Sequence, residues 1–261
     1  MNNNHLLIDI GNTAIDCLYL KDGEGIYEKH SLLEKDMLIE SIISNNLKHP
    51  FDCYLSSVNL EASAFLKAIF DEKKIRYRFL DSKIMEEFSK QNGYIIPNVS
   101  YLGADLFSDI IAKPNHNGLI IVDLGTATKI LYLDKAGLFH GSSILPGIRS
   151  FPSALFQNTS LLGKYPLVKD PPLVSLKTEE CISSGAILGT AYAMKGMIEE
   201  ILKKNPEADI YLTGGDSPFV ENHIHIDHKT IIKDPYLVLE GIAKAFRIWE
   251  IRNIKVTGES K

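Results

Sequence analysis

The chain has few cysteines, no surplus of positive charge and no long apolar run, and each shortage removes a class of function. Cys17, Cys53 and Cys181 are the three cysteines among 261 residues. They are far apart and none falls in a Cys-x2-Cys spacing, which argues against a disulfide framework and a zinc site. They read as buried small apolar residues in a reducing compartment. A formal net charge of −5 offers no basic surface to a phosphate backbone, so a small molecule is the expected partner and nucleic acid is not. Met1-Asn-Asn-Asn-His5 carries no basic segment, and only Leu6, Leu7 and Ile8 precede Asp9. Neither a signal peptide nor a membrane span is expected, and the protein reads as soluble and cytoplasmic, with no membrane partner.

What is present suits a folded core: 45% hydrophobic and 23% charged residues are ordinary globular proportions. The most informative stretch is Leu119 to Thr128, Leu-Ile-Ile-Val-Asp-Leu-Gly-Thr-Ala-Thr. A buried strand runs into Asp123 and a tight polar turn, where Gly125 lets the backbone approach a ligand while Thr126 and Thr128 offer hydroxyls. Such a turn suits phosphate, and a strand-end carboxylate suits a metal ion or its hydration shell. Alone, the string fits a hairpin with an incidental aspartate equally well. A second copy, Leu6-Leu-Ile-Asp9-Ile10-Gly11-Asn12-Thr13, lies 114 positions earlier. That distance is too long for a solenoid and points to two similar domains, 1–114 and 115–261, whose turns address one nucleotide from opposite sides.

The remaining pattern is consistent with that division. Ala14 to Leu20, a turn at Lys21 to Gly25, and Ile26 to His30 continue a meander. Helices are expected at Asp36–Asn46 and Glu61–Lys74, with a strand at Asp52–Val58 between them and another at Tyr77–Leu80. Gly93 and Pro97 leave Lys83 to Pro97 unassigned. Leu106–Ala112 reads as a helix with Asp105 in its first turn, where the helix dipole favours an ionised carboxylate; without the neighbouring motifs, ordinary capping is the favoured explanation. The second half gives strands at Leu119–Val122, Ile130–Leu133 and Gly137–Ser142, then a short helix at Ser150–Asn158. A long helix opens at Thr178 by a capping signature and runs toward Asn205, with Gly185, Ala186, Gly189, Ala191 and Ala193 allowing close packing. A strand at Asp209–Thr213 opens into Gly214-Gly215-Asp216, and Tyr236–Glu250 closes the chain as a helix. Strand, strand, strand, helix, strand, helix is the order of a ribonuclease H-like half.

The ordered set Asp9 to Thr13, Leu102-Gly103-Ala104-Asp105, Asp123 to Thr128, Gly141 to Gly147, Thr178 to Gly189 and Leu212 to Asp216 resembles type III pantothenate kinases, within the actin, sugar kinase and acetate kinase superfamily. The resemblance implies an α/β protein of two ribonuclease H-like domains in the actin-like ATPase fold, with mixed five-stranded sheets flanked by helices. It implies ATP-dependent phosphorylation of pantothenate to 4'-phosphopantothenate, the first step toward coenzyme A, by a homodimer. By resemblance Asp9, Ile10, Gly11, Asn12, Thr13, Ala14, Ile15, Asp16 and Thr126 contact ATP. Asp105 is the base at the pantothenate hydroxyl, and Gly103, Ala104, Asp105, Leu106 and Thr178 line the substrate. Asp9 is placed near Mg²⁺, and Asp123 near a monovalent cation, potassium or ammonium.

One departure stands out. The family pattern is Gly-x-Asp-Arg, whereas this chain has Leu106 after Asp105, and leucine cannot pair with a carboxylate or phosphate. A nucleotide-binding regulator, or a kinase for a different small alcohol, is therefore the rival expectation; Arg149 and Lys164 are candidates to replace the arginine. Tyr94 is a weaker candidate for a substrate-binding tyrosine. Gly214-Gly215 is placed either as bare backbone beneath a base and ribose or as a plain strand-to-loop turn. The Asn222-His-Ile-His-Ile-Asp-His228 string reads as a solvated strand face rather than a metal site.

Overall fold

The computed structural model describes residues 4–21, 24–48, 51–248 and 256–257. The chain divides into two units, Met1–Pro114 with Tyr236–Lys261, and Asn115–Pro235.

In the first unit, β1 (His5–Ile10), β2 (Ala14–Lys21), β3 (Glu24–Ser31), α1 (Lys35–Lys48), β4 (Asp52–Ser57), α2 (Leu60–Lys73), β5 (Tyr77–Phe79), α3 (Ser82–Asn92) and α4 (Ala104–Ala112) follow in order. The strands lie as β3-β2-β1-β4-β5, with β1 antiparallel to β2 and parallel to β4. A central strand is covered on both faces, which is why β1 is nearly all apolar. Leu6, Ile8 and Ile10 enter one core with Leu38, Ile42, Leu66 and Phe70, and the two-residue period sends Leu7 to the opposite side. Asp9 shares the parity of Leu7. The unassigned stretch after Lys83 contains α3: Asp81 Oδ1 accepts from the Ile84 N–H at 2.9 Å to start it, and Gly93 at φ +73° ends it. Gly93 is thus a C-cap rather than an interruption.

The second unit holds β6 (Leu119–Leu124), β7 (Ala127–Leu133), β8 (Phe139–Pro146), α5 (Ser150–Asn158), α6 (Thr178–Leu202), β9 (Asp209–Thr213), α7 (Ser217–Val220) and β10 (Ile231–Lys233). Its sheet order, β8-β7-β6-β9-β10, with β6 antiparallel to β7 and parallel to β9, repeats the first topology strand for strand. Ile120, Val122 and Leu124 pack on Ala186, Ile187, Ala191, Met194 and Ile198 of α6. Gly189 and Gly196 are exposed instead, and a Cβ at either would meet nothing within 4 Å. The glycines of α6 thus lie outside its inner packing, which the alanines and larger residues supply.

Three local readings are corrected. Lys177 occupies the cap of α6, and Thr178 is its first helical residue; Ser175 fixes the start, its hydroxyl accepting from the Lys177 N–H and donating to Glu180. Residues 222–228 form no strand; Ile224 and Ile226 are buried and His225 exposed, so the alternation reflects loop anchoring. Cys17 and Cys53 are buried as expected, but Cys181 is exposed. Burial is the main cause pushing both buried thiols well above their ordinary range. The expected turn at Asp22-Gly23, and residues 249–250 of the expected final helix, lie outside the described residues.

The chain then returns to the first unit. α8 (Leu237–Ala245) places Leu239, Ile242 and Ala243 against Leu7, Leu18 and Leu20, and β11 (Val256–Thr257) pairs with β3 as a sixth strand. The expected boundary of 115–261 is therefore corrected at its end, because α8 buries its apolar face on the first sheet. Gly241 permits a close approach to α4: a Cβ there would lie 2.6 Å from Ser108 Cα.

Candidate functional site

In the first unit, β1 and β2 are joined through a hairpin in which the Gly11 N–H donates to the Ala14 carbonyl at 3.0 Å. Asn12 and Thr13 are exposed at its tip, and Asp9 is half-buried at the strand end. Ile10 and Ile15 have fully buried side chains, so any ligand contact they make is through the main chain. Across the ladder from Asp9 stands Asp16, whose carboxylate accepts from Lys29 Nζ at 3.0 and 3.1 Å and from the Tyr27 hydroxyl. Burial, with Asp16 beside it, holds the Tyr27 phenol protonated far above its ordinary range.

The same edge carries Asp105. The Val58 N–H, just beyond β4, donates to the Ile10 carbonyl at 3.1 Å, and a Cβ built on Gly103 would lie 3.4 Å from Val58 Cγ1. Gly103 is the N-cap of α4, so the first turn of α4 sits beside the C-terminal ends of β1 and β4. The Asp105 carboxylate folds back over the cap, into space that a Gly103 side chain would fill. The fold thereby brings Asp9, the Gly11 hairpin, Gly103, Ala104 and Asp105 to one end of one sheet, with Asp105 at a helix N-terminus. Leu106 is 9% exposed, on the inward side of α4. Asp109, one turn further along, is fully buried, a residue that sequence reading passed over although a carboxylate inside an apolar helical run was a visible signal.

In the second unit the turn is tighter. Leu124 pairs with Thr128, and the Gly125 N–H donates to the Ala127 carbonyl at 3.1 Å. Thr126 is exposed at the tip, and its carbonyl accepts from the Ser150 hydroxyl at 3.3 Å. Two glycine loops wedge this turn. A Cβ on Gly147 would lie 2.5 Å from the Gly125 carbonyl, and one on Gly214, at φ +89°, would lie 2.6 Å from Asp123 Oδ1. Asp216 donates its N–H to the Leu124 carbonyl at 2.8 Å, while its carboxylate receives Arg149 Nε at 2.6 Å. Arg149 also lies over the Phe219 ring at 5.0 Å, and Lys164 over Phe156 at 5.1 Å. Arg149 is thus committed to shaping the Gly214 loop. Thr178 is half-buried at the start of α6.

The second turn holds a cation that sequence reading missed. Lys129 stands across the ladder from Asp123, with its ammonium 2.7 Å from Asp123 Oδ2 and the two side chains only 15% and 11% exposed. A diffusible monovalent ion at Asp123 does not fit beside an ammonium already in contact with that carboxylate. Asp9 is the residue of the first turn that would hold a divalent ion, since its ladder partner is the carboxylate Asp16, itself held by Lys29 and Tyr27, and not an ammonium. Among the described residues no group of three or more His, Cys, Asp and Glu forms a metal cluster. Such an ion at Asp9 would be completed by phosphate oxygens and water.

Two units of one topology, each turning its first strand through Asp-x-Gly into a polar hairpin, define a duplicated α/β protein of the actin-like ATPase fold. A Campylobacter jejuni protein of the Baf transcriptional activator family has a crystal structure of the same fold, with a TM-score of 0.56 and 21% identity over 93% of this chain and 97% of that one. The model of the type III pantothenate kinase family matches residues 5–200, and the chain belongs to that family. Curated type III pantothenate kinases of Persephonella marina and Phocaeicola vulgatus are 31% and 28% identical to it, covering 90% and 91% of this chain and 95% and 96% of theirs.

Proposed function

We infer that the protein is a kinase transferring the γ-phosphoryl group of ATP to the primary hydroxyl of pantothenate, giving 4'-phosphopantothenate and ADP at the first step of coenzyme A biosynthesis. The observation that carries this reading is family membership across residues 5–200 combined with Asp105 at the end of the sheet that also holds the Asp9 hairpin. Phosphoryl transfer asks a protein for positioning and charge stabilisation more than for covalent help. The Asp9 to Asp16 hairpin and Thr126 are assigned to ATP. Asp9 would hold Mg²⁺, which supplies charge neutralisation on the phosphates. Gly103, Ala104, Asp105 and Thr178 are assigned to pantothenate. As the hydroxyl oxygen bonds to the γ-phosphorus and the bond to the β-phosphate oxygen breaks, the hydroxyl proton passes to the Asp105 carboxylate.

A regulator, or a kinase for another alcohol, is not favoured, because the family model matches residues 5–200 and the curated relatives carry the pantothenate kinase name. No helix among the described residues is long and apolar enough to cross a membrane, and a cytoplasmic location is part of the proposal. So is a homodimer, supported by the family resemblance and by the open stripe of Gly189, Tyr192 and Gly196 on α6. The test is ATP-dependent phosphorylation of pantothenate by the purified chain beside Asp105→Asn. Turnover that falls about 10²–10⁴-fold in the variant with little change in ATP affinity is expected; undiminished turnover in Asp105→Asn would remove the proposed base.

A further inference from the structure

The internal duplication allows one comparison that a single domain would not. The residue facing the strand-end aspartate across the first hairpin is Asp16, opposite Asp9; at the second hairpin it is Lys129, opposite Asp123. The two turns therefore differ in charge. The first places two carboxylates side by side, with Lys29 on the outer one. The second is neutral by construction, its carboxylate joined to an ammonium at 2.7 Å.

The surroundings make this pair more than a surface ion pair. Asp123 and Lys129 share the parity of Ile121 and Leu131 on their strands, both of them 1% exposed, and an ion pair flanked by apolar side chains is screened little by solvent. Gly214 closes over the carboxylate from a neighbouring loop, its missing side chain leaving room for Asp123 Oδ1. Any other cation at Oδ2 would meet the Lys129 charge at contact distance, a repulsion that grows as water is excluded.

We propose that Lys129 is a resident cation at the second phosphate turn, taking the place of a diffusible potassium or ammonium ion and making nucleotide binding independent of such ions. An unpaired Asp123 would repel a polyphosphate approaching Gly125 and Thr126. Lys129 cancels that charge permanently, so the turn needs no ion from solution. The inference rests on the assignment of this turn to ATP.

The test is ATP affinity by calorimetry on the full chain with Mg²⁺, at constant ionic strength, with tetramethylammonium, sodium, potassium or ammonium as the monovalent cation. Wild-type protein is expected to bind ATP within about twofold in all four. Lys129→Ala should bind at least about tenfold more weakly in tetramethylammonium, and potassium or ammonium should restore it. Lys129→Met, which keeps the length and fills the space, should be weakened without rescue, and circular dichroism checks that both variants are folded. Wild-type binding that needs potassium by about tenfold or more overturns the inference alone, and so does a folded Lys129→Ala that binds normally in tetramethylammonium. Wild-type protein that binds no ATP with any cation overturns the nucleotide assignment and this inference together.

Discussion

Leu106 occupies the position where the family resemblance expects an arginine, and its burial says what that exchange means. At 9% exposure on the inner side of α4, it fills core next to Phe107 and Ile110 in sequence rather than reaching outward beside Asp105. Returning an arginine would push a bulky guanidinium into that packing. Leu106→Arg is expected to destabilise the protein by about 3 kcal/mol or more in urea unfolding, with no gain in pantothenate turnover. A variant as stable as wild type and faster on pantothenate would show that position 106 reaches the acceptor. Gly103 works in the opposite sense, since the lack of a side chain there is what admits the Asp105 carboxylate over the helix cap.

At the scale of elements, the position of α4 decides whether Asp105 reaches the end of the sheet, and α8 fixes that position. Gly241 lets the two helices touch backbone to backbone: a Cβ would sit 2.6 Å from Ser108 Cα. Lys113 pairs with Glu240, and Lys244 Nζ donates to the Lys113 carbonyl at 3.4 Å. Gly241→Ala would pry α4 from α8, at a cost of about 1–3 kcal/mol from overpacking. Because Asp105 rides on α4, kcat for pantothenate should fall by more than that loss of stability explains at temperatures where the variant remains folded. Steady-state kinetics beside thermal unfolding checks this, and wild-type kcat in a destabilised Gly241→Ala would separate α4 placement from catalysis.

For the whole molecule, the consequential feature is that the chain leaves the first unit, builds the second and comes back. Leu237, Leu239 and Ile242 are at most 2% exposed, each worth about 1.5–3 kcal/mol of burial, against a total stability of about 5–15 kcal/mol for an ordinary domain. A chain ending at Pro235 should therefore leave Leu7, Leu18 and Leu20 uncovered and lose the first unit's cooperative unfolding while the second unit's sheet persists. Far-UV circular dichroism through a urea titration, with limited proteolysis, reads this directly. A truncated chain that keeps the full transition would mean that α8 is dispensable.

The sequence by itself determined most elements and the chemical character of both turns. Unbroken apolar runs at Leu6 to Ile8 and Leu119 to Val122, with an aspartate and then a glycine at each strand end, are local information, and such a local pattern survives folding. It also determined the duplication, because the same short pattern recurs and each copy obeys the same sterics. The tertiary structure alone decided the partners. That α8 belongs with the first sheet depends on which apolar faces meet, a contact between residues more than two hundred positions apart. That Asp123 holds Lys129 follows from the hairpin register, where a slip of one residue would put the lysine on the opposite face, and that Leu106 is buried follows from α4 being covered along nearly its whole length. Gly93 read as an interruption because glycine marks both helix ends and loops, and only the backbone around it shows which one it serves.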